Sequence, residues 1–88
     1  MAWKVELSNT AEKELNKLEK SEARRIISFL DERVSKTENP RSIGVPLKGP
    51  LEKYWKYRVG NYRVICDIQD EKITVLVLRI GHRRKVYR

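Results

Sequence analysis

The chain has 88 residues, of which 40% are hydrophobic and 36% charged, with a net charge of +8; this suits one small folded domain over residues 1–88 and excludes a disordered tail. One cysteine and one histidine exclude a disulfide framework and a cysteine-based zinc site. No apolar run reaches the ~20 residues of a membrane helix, and Met1-Ala2-Trp3 leads into a charged segment instead of a secretory signal, so we expect a cytoplasmic protein without a membrane partner.

The first half of the sequence predicts a strand and two helices. Residues 3–7 alternate apolar and polar side chains, which predicts a half-buried strand. Ser8 or Asn9 can cap a helix over residues 9–19, with Glu12 at the capping-box distance from Asn9. Ser21 can cap a second helix that ends before Asn39-Pro40. Apolar residues recur at three- and four-residue steps in both helices, which predicts that one face of each packs in the core.

The second half predicts a loop and three strands. Pro40 to Pro50 contains three prolines and two glycines, a composition that favours a loop or an irregular edge. Residues 54–69 predict a hairpin that turns at Gly60-Asn61. Ile73 to Leu78 is almost wholly apolar, which predicts a central strand covered on both faces and ended by Gly81.

The positive charge lies in the second half of the chain. Residues 1–39 hold eight Lys/Arg and eight Asp/Glu, whereas residues 40–88 hold twelve and four. This asymmetry is typical of a surface that binds a polyanion, most commonly nucleic acid, although an acidic protein partner fits equally well.

The hairpin predicts a cationic face. With a two-residue loop, Arg58 lies opposite Arg63 and Lys56 opposite Ile65 on the same side. Like charges opposite one another are destabilising, which indicates that an anion binds between the arginines. A longer, bulged loop would separate them. The other side then carries residues that the helices can cover, with Cys66 as a small buried hydrophobe: Trp55, Tyr57, Val64 and Cys66.

The C-terminal segment is the second concentration of charge. It has no acidic residue and contains Arg79, His82, Arg83, Arg84, Lys85, Tyr87 and Arg88. It either folds back along the sheet, adding Arg83 and Tyr87 to the cationic face, or remains a free basic tail. Cleavage of RNA by its own 2′-hydroxyl needs a base, charge stabilisation and an acid. Lysines and arginines suit the stabilisation of charge. Tyr87 could act as the base if neighbouring cations favoured its phenolate form.

Two motifs together resemble the RelE family of bacterial and archaeal toxins: Tyr57-Arg58-Val59-Gly60-Asn61-Tyr62-Arg63-Val64 and Arg79-Ile80-Gly81-His82-Arg83-Arg84-Lys85-Val86-Tyr87. The resemblance covers nearly the whole chain. It implies a RelE/ParE-like α+β fold, in the order β-α-α-β-β-β, with two N-terminal helices on one face of a four-stranded, mainly antiparallel sheet. It also implies a toxin that forms a hetero-oligomer with a RelB-like antitoxin and cuts messenger RNA in the ribosomal A site, without metal or organic cofactor.

The resemblance also implies catalytic roles, carried over by motif position. Lys56 and Arg58 stand where RelE has two lysines, and Arg63 and Arg83 match its arginines. Tyr87 matches its C-terminal tyrosine, the proposed base, and Arg83 the proposed acid. Arg58 is a departure because arginine keeps its proton, which leaves Lys56, Arg83 or His82 as proton donor. Further RNA contacts are predicted for Lys53, Arg79, Arg84, Lys85 and Arg88.

Two other functions remain open from the sequence. ParE toxins share the fold but are taken to inhibit DNA gyrase by binding, without the ribonuclease residues. A plain RNA-binding module would need charge but no tyrosine at a defined place. The joint presence of Lys56, Arg63, Arg83 and Tyr87 favours the RelE reading.

Overall fold

The computed structural model describes residues 2–51 and 53–82. Its first half contains strand β1 (Lys4–Leu7), helix α1 (Asn9–Asn16) and helix α2 (Lys20–Phe29), which continues as one π-helical turn over Leu30–Val34. After a 3-10 turn at Pro40–Ile43 come four strands: β2 (Val45–Pro46), β3 (Trp55–Val59), β4 (Tyr62–Gln69) and β5 (Thr74–His82). No helix in this part of the chain is long and apolar enough to cross a membrane.

The strands form one sheet in the order β1-β5-β4-β3-β2. β1 pairs with β5 in parallel and the other pairs are antiparallel. The predicted α+β class is confirmed, but the sheet has five strands and not four. The additional strand, β2, lies in the proline-rich segment and pairs only Val45 with Lys56 and Pro46 with Trp55. The sequence does not reveal this strand, because two residues are too few to show alternation of apolar and polar side chains. Proline is tolerated in β2 because the strand lies at the edge of the sheet.

The helix ends differ in detail from the sequence prediction. Ser8 is the cap of α1: its Oγ accepts from the Ala11 N–H at 3.0 Å and donates to the Leu78 carbonyl at 3.0 Å. The helix ends at Asn16, earlier than predicted. α2 begins after Glu19, without a side-chain cap, so the assignment of Ser21 as its cap was wrong.

Both helices pack on one face of the sheet. Their apolar residues join the inward side chains of the strands in the main core, with Ile26, Val64 and Cys66 fully buried. β5 lies between β1 and β4, as its apolar sequence predicts, but it runs past Gly81 to His82. On the opposite face a smaller cluster contains Leu47, Ile65 and Tyr54.

A buried hydrogen bond ties the proline-rich segment to the sheet. The Tyr57 side chain is fully buried, and its hydroxyl donates to the Pro40 carbonyl at 2.6 Å. Beside it the Trp55 indole donates to the Arg41 carbonyl at 3.1 Å. Arg41 in turn donates two hydrogen bonds to Asp70, at 2.9 and 2.8 Å, which lower the pKa of that carboxyl. These contacts fix the segment that leads into β2.

Replacing Tyr57 by phenylalanine removes one end of the buried hydrogen bond. We expect Tyr57→Phe to lower the free energy of unfolding by about 1–2 kcal/mol, because the Pro40 carbonyl loses its buried donor. Urea denaturation measures the change. The matched control is Tyr62→Phe, because Tyr62 is half-buried and its hydroxyl makes no hydrogen bond to a described residue. We expect the stability of this variant to stay within about 0.5 kcal/mol of that of the original chain. Equal stability of the two variants would contradict the prediction.

Candidate nucleic-acid interface

The hairpin of β3 and β4 has the predicted register. Arg58 lies opposite Arg63, Lys56 opposite Ile65, and Val59 opposite Tyr62. The turn between them is therefore two residues long, and Gly60 adopts a φ of 60°, which glycine accommodates at little cost. The irregularity in β4 falls between Ile65 and Cys66, in the pairing with β5, so it leaves the two arginines together.

The three cations of the hairpin line one groove of about 530 Å³. The groove runs from this face of the sheet, past the short edge strand β2, to the helical layer. Its other lining residues come from the helices and the proline-rich segment: Phe29, Arg33, Ser42, Ile43, Gly44 and Val45. The described lining thus contains four cations and no carboxylate, an arrangement that favours an anionic ligand.

Arg58 is exposed, whereas Lys56 and Arg63 are half-buried. Cross-strand pairs of like charge cost stability, of the order of 0.2–1 kcal/mol. An anion that bridges Arg58 and Arg63 would remove this cost and accept charge-assisted hydrogen bonds from both. A guanidinium presents its N–H groups as a fork, which matches the oxygens of a phosphate.

Gly44 permits the close approach of β2 to β3. Its φ of −144° is extended backbone that any residue can adopt, so the requirement for glycine is one of space. A Cβ at this position would lie 2.6 Å from the Lys56 carbonyl oxygen and 2.7 Å from Cδ1 of Tyr57. The groove wall therefore depends on a residue without a side chain.

Two of the predicted RNA contacts lie outside this groove. Arg79 is paired with Glu14 of α1, with Nη2 at 3.1 Å and Nε at 3.2 Å from the carboxylate oxygens. Glu14 also accepts from the Ile80 N–H at 2.8 Å, beyond the end of β1. The Glu14 carboxylate thus already compensates the charge of Arg79. Lys53 is exposed, and its Nζ lies 5.1 Å from the centroid of the Tyr54 ring.

His82 ends β5 opposite Tyr62, and the two rings meet edge to face with centroids 6.0 Å apart. It belongs to the sheet and not to a tail. The remaining C-terminal predictions concern Arg83, Arg84, Lys85, Tyr87 and Arg88, which lie outside the described residues.

Other titratable groups fit a structural role. Burial raises the pKa of the Cys66 thiol and of the Tyr57 hydroxyl, which keeps both protonated and makes Cys66 a poor nucleophile. The described residues contain no group of three or more His, Cys, Asp or Glu side chains that could hold a metal ion.

Arg33 is the lining cation that the sequence did not indicate. It lies on the π-helical turn after α2, in the layer predicted to cover the opposite side of the sheet. The position of Arg33 in the helical pattern does not indicate this role. Arg33 lies beside the hairpin cations only in the folded protein, where the groove passes β2.

Comparison with known proteins gives consistent matches over the whole chain. The family model described as "ParE toxin of type II toxin-antitoxin system, parDE" matches residues 5–87. Toxin RelG of Mycobacterium tuberculosis is 33% identical over 88 residues, with 100% of this chain and 99% of that protein covered. Toxin RelE of the same organism is 30% identical, with 98% and 87% covered. The crystal structure of the M. tuberculosis toxin-antitoxin complex RelBE2 contains a chain that superposes with a TM-score of 0.86 and 31% identity, over 94% of this chain and 93% of that one.

Substitution of Gly44 tests the groove wall. We expect Gly44→Ala to lower the free energy of unfolding by about 2 kcal/mol, because the new methyl group must displace β2 from β3. The control is Lys48→Ala, an exposed position in the same segment, which should change stability by less than about 0.5 kcal/mol. Urea denaturation of both variants checks the expectation, and a fully stable Gly44→Ala variant would refute the close approach of the two strands.

Proposed function

The chain belongs to the RelE/ParE superfamily of toxins of type II toxin–antitoxin systems, and we propose that it is a ribosome-dependent endoribonuclease that cuts messenger RNA in the ribosomal A site. One observation carries the proposal: Lys56, Arg58 and Arg63 share a groove whose described lining has no carboxylate. The matches to toxins named RelG and RelE support the same reading.

In the proposed reaction the messenger supplies its own nucleophile. The 2′-oxygen attacks the adjacent phosphorus and gives its proton to the phenolate of Tyr87, the form that neighbouring cations favour. The bond from phosphorus to the 5′-oxygen breaks, and that oxygen takes a proton from the acid. Arg58 and Arg63 hold the phosphate and stabilise the additional negative charge of the transition state. Arginine keeps its proton, which makes Arg58 and Arg83 poor acids, so Lys56 or His82 is the better proton donor, although the resemblance assigns that role to Arg83.

The proposal includes a requirement for the ribosome. The described groove lining contains neither histidine nor carboxylate. These are the side chains that most often act as general acid and general base, so the described groove alone is poorly equipped for the proton transfers. Holding the messenger in a reactive geometry then contributes a large part of the rate, and the ribosome provides that geometry. Lys53, Arg84, Lys85 and Arg88 are proposed to contact ribosomal RNA in the cytoplasm. Arg79 has less to contribute because of its pair with Glu14.

The proposed partner is a cognate RelB-like antitoxin. The RelBE2 structure is that of a toxin–antitoxin complex, and its toxin-like chain matches this fold closely. We propose that an acidic segment of the antitoxin covers the cationic groove or displaces the C-terminal segment. High salt should weaken this association as well as RNA binding.

A second function is favoured by one observation. The matching family model is that of ParE toxins, and a ParE-like inhibitor of DNA gyrase would need the fold but no catalytic tyrosine. The two functions differ in whether the messenger is cut.

Loss of the proposed base should abolish cutting. In a reconstituted translation reaction, primer extension should show new messenger 5′ ends inside A-site codons, and only when ribosomes are present. We expect Tyr87→Phe to reduce the cutting rate by roughly 10²–10⁴-fold, the range that general-base catalysis contributes. The matched control, Tyr62→Phe, lies on the helix-facing side and should cut at the original rate.

An intact messenger with the unsubstituted protein would contradict the ribonuclease proposal. A DNA gyrase supercoiling assay would then test the ParE-like function. Cutting that survives Tyr87→Phe would instead remove Tyr87 from the role of base.

A further inference from the structure

We infer that Arg33 binds an RNA backbone phosphate next to the one held by Arg58 and Arg63, which extends the binding groove from the sheet to the helical layer. The inference rests on the proposed function in taking RNA as the ligand of the groove. It adds a residue from an element that neither the hairpin motif nor the C-terminal motif includes.

The position of Arg33 supports this role. Arg33 and Phe29 are one helical turn apart and line the same groove as Lys56, Arg58 and Arg63. β2 covers β3 only at Trp55 and Lys56, so the sheet edge beside Arg58 lies beyond the end of β2. A single RNA strand in the groove can therefore contact the hairpin cations and Arg33 with successive phosphates.

The charge of Arg33 is available to a ligand. Arg41 and Arg79 each form an ion pair, with Asp70 at 2.8 Å and with Glu14 at 3.1 Å. By contrast, the exposed side chain of Arg33 forms no ion pair with any described carboxylate.

The guanidinium of Arg33 is also held in place. Its central carbon lies 5.7 Å from the centroid of the Phe29 ring. Phe29 is itself fixed against the buried Tyr57 ring, with centroids 5.7 Å apart. A cation–π contact is an electrostatic attraction to the ring, so the guanidinium N–H groups can still donate hydrogen bonds to the two oxygens of a phosphate. Less side-chain freedom is then lost when the ligand binds.

The experiment measures how tightly the purified full-length protein binds a short 2′-O-methyl RNA oligonucleotide, which cannot be cut. Binding is followed by fluorescence anisotropy over a range of salt concentrations. We expect Arg33→Gln to weaken binding by roughly tenfold. The slope of log K against log salt should fall by about 0.7, the value for one phosphate contact on a single strand. Arg33→Lys should keep the slope but bind less tightly, because lysine lacks the planar fork.

The matched control is Arg24→Gln, which removes the same charge from an exposed position of α2 outside the groove lining. It should bind the oligonucleotide as the original chain does. An oligoglutamate peptide, measured in parallel, tests the alternative of an acidic protein ligand. Three results would overturn the inference. Arg33→Gln could lose affinity for the peptide but not for RNA, Arg33→Gln and Arg24→Gln could bind RNA equally well, or the original chain could bind no RNA.

This result is separable from that of the cutting assay. If the protein cuts messenger on ribosomes while Arg33→Gln and Arg24→Gln bind RNA equally, the inference fails and the proposed function stands. If no cutting occurs but Arg33→Gln binds RNA less tightly, the endoribonuclease proposal fails and the role of Arg33 in RNA binding stands.

Discussion

The two-residue turn at Gly60-Asn61 sets the pairing of β3 with β4, and both the core and the cationic groove follow from that pairing. Because strand side chains alternate between faces, a shift of one residue in the pairing of β3 and β4 would exchange the core side chains and the cations. The observed register places Tyr57 and Val64 against the helices and sets Arg58 opposite Arg63. The same turn therefore determines both how the protein buries its core and where it collects positive charge.

The proline-rich segment converts a charged sheet face into a groove. Tyr57 and Trp55 hold the backbone of this segment by hydrogen bonds to Pro40 and Arg41, and Gly44 lets it approach β3. Burial of the apolar rings stabilises the arrangement, while the hydroxyl and indole groups fix its direction. The groove wall is thus anchored by Tyr57 in the core and by Trp55 packed against it, so its shape should persist without a ligand.

Among the described residues, two pairs of arginines have different physical roles. Arg41 and Arg79 are neutralised by carboxylates and join distant elements of the fold. Arg33 and Arg58 line the groove and form no ion pair with a described carboxylate. A cluster of like charge opposes folding, and the buried apolar residues of the core offset that cost. A phosphate ligand would relieve it, which links the stability of the groove to its proposed function.

Two helices, four of the five strands, the helix-facing side chains and the hairpin register can be predicted from the sequence, because alternation, helical spacing and a glycine-containing turn are local signals. These local signals placed Lys56, Arg58 and Arg63 on one face. Three further features follow only from the packing of the folded chain: the fifth strand, the pairing of Glu14 with Arg79 and the position of Arg33 beside the hairpin. The residues in these contacts are far apart in sequence, as the separation of 65 positions from Glu14 to Arg79 illustrates, and only the packing of helices and sheet brings them together.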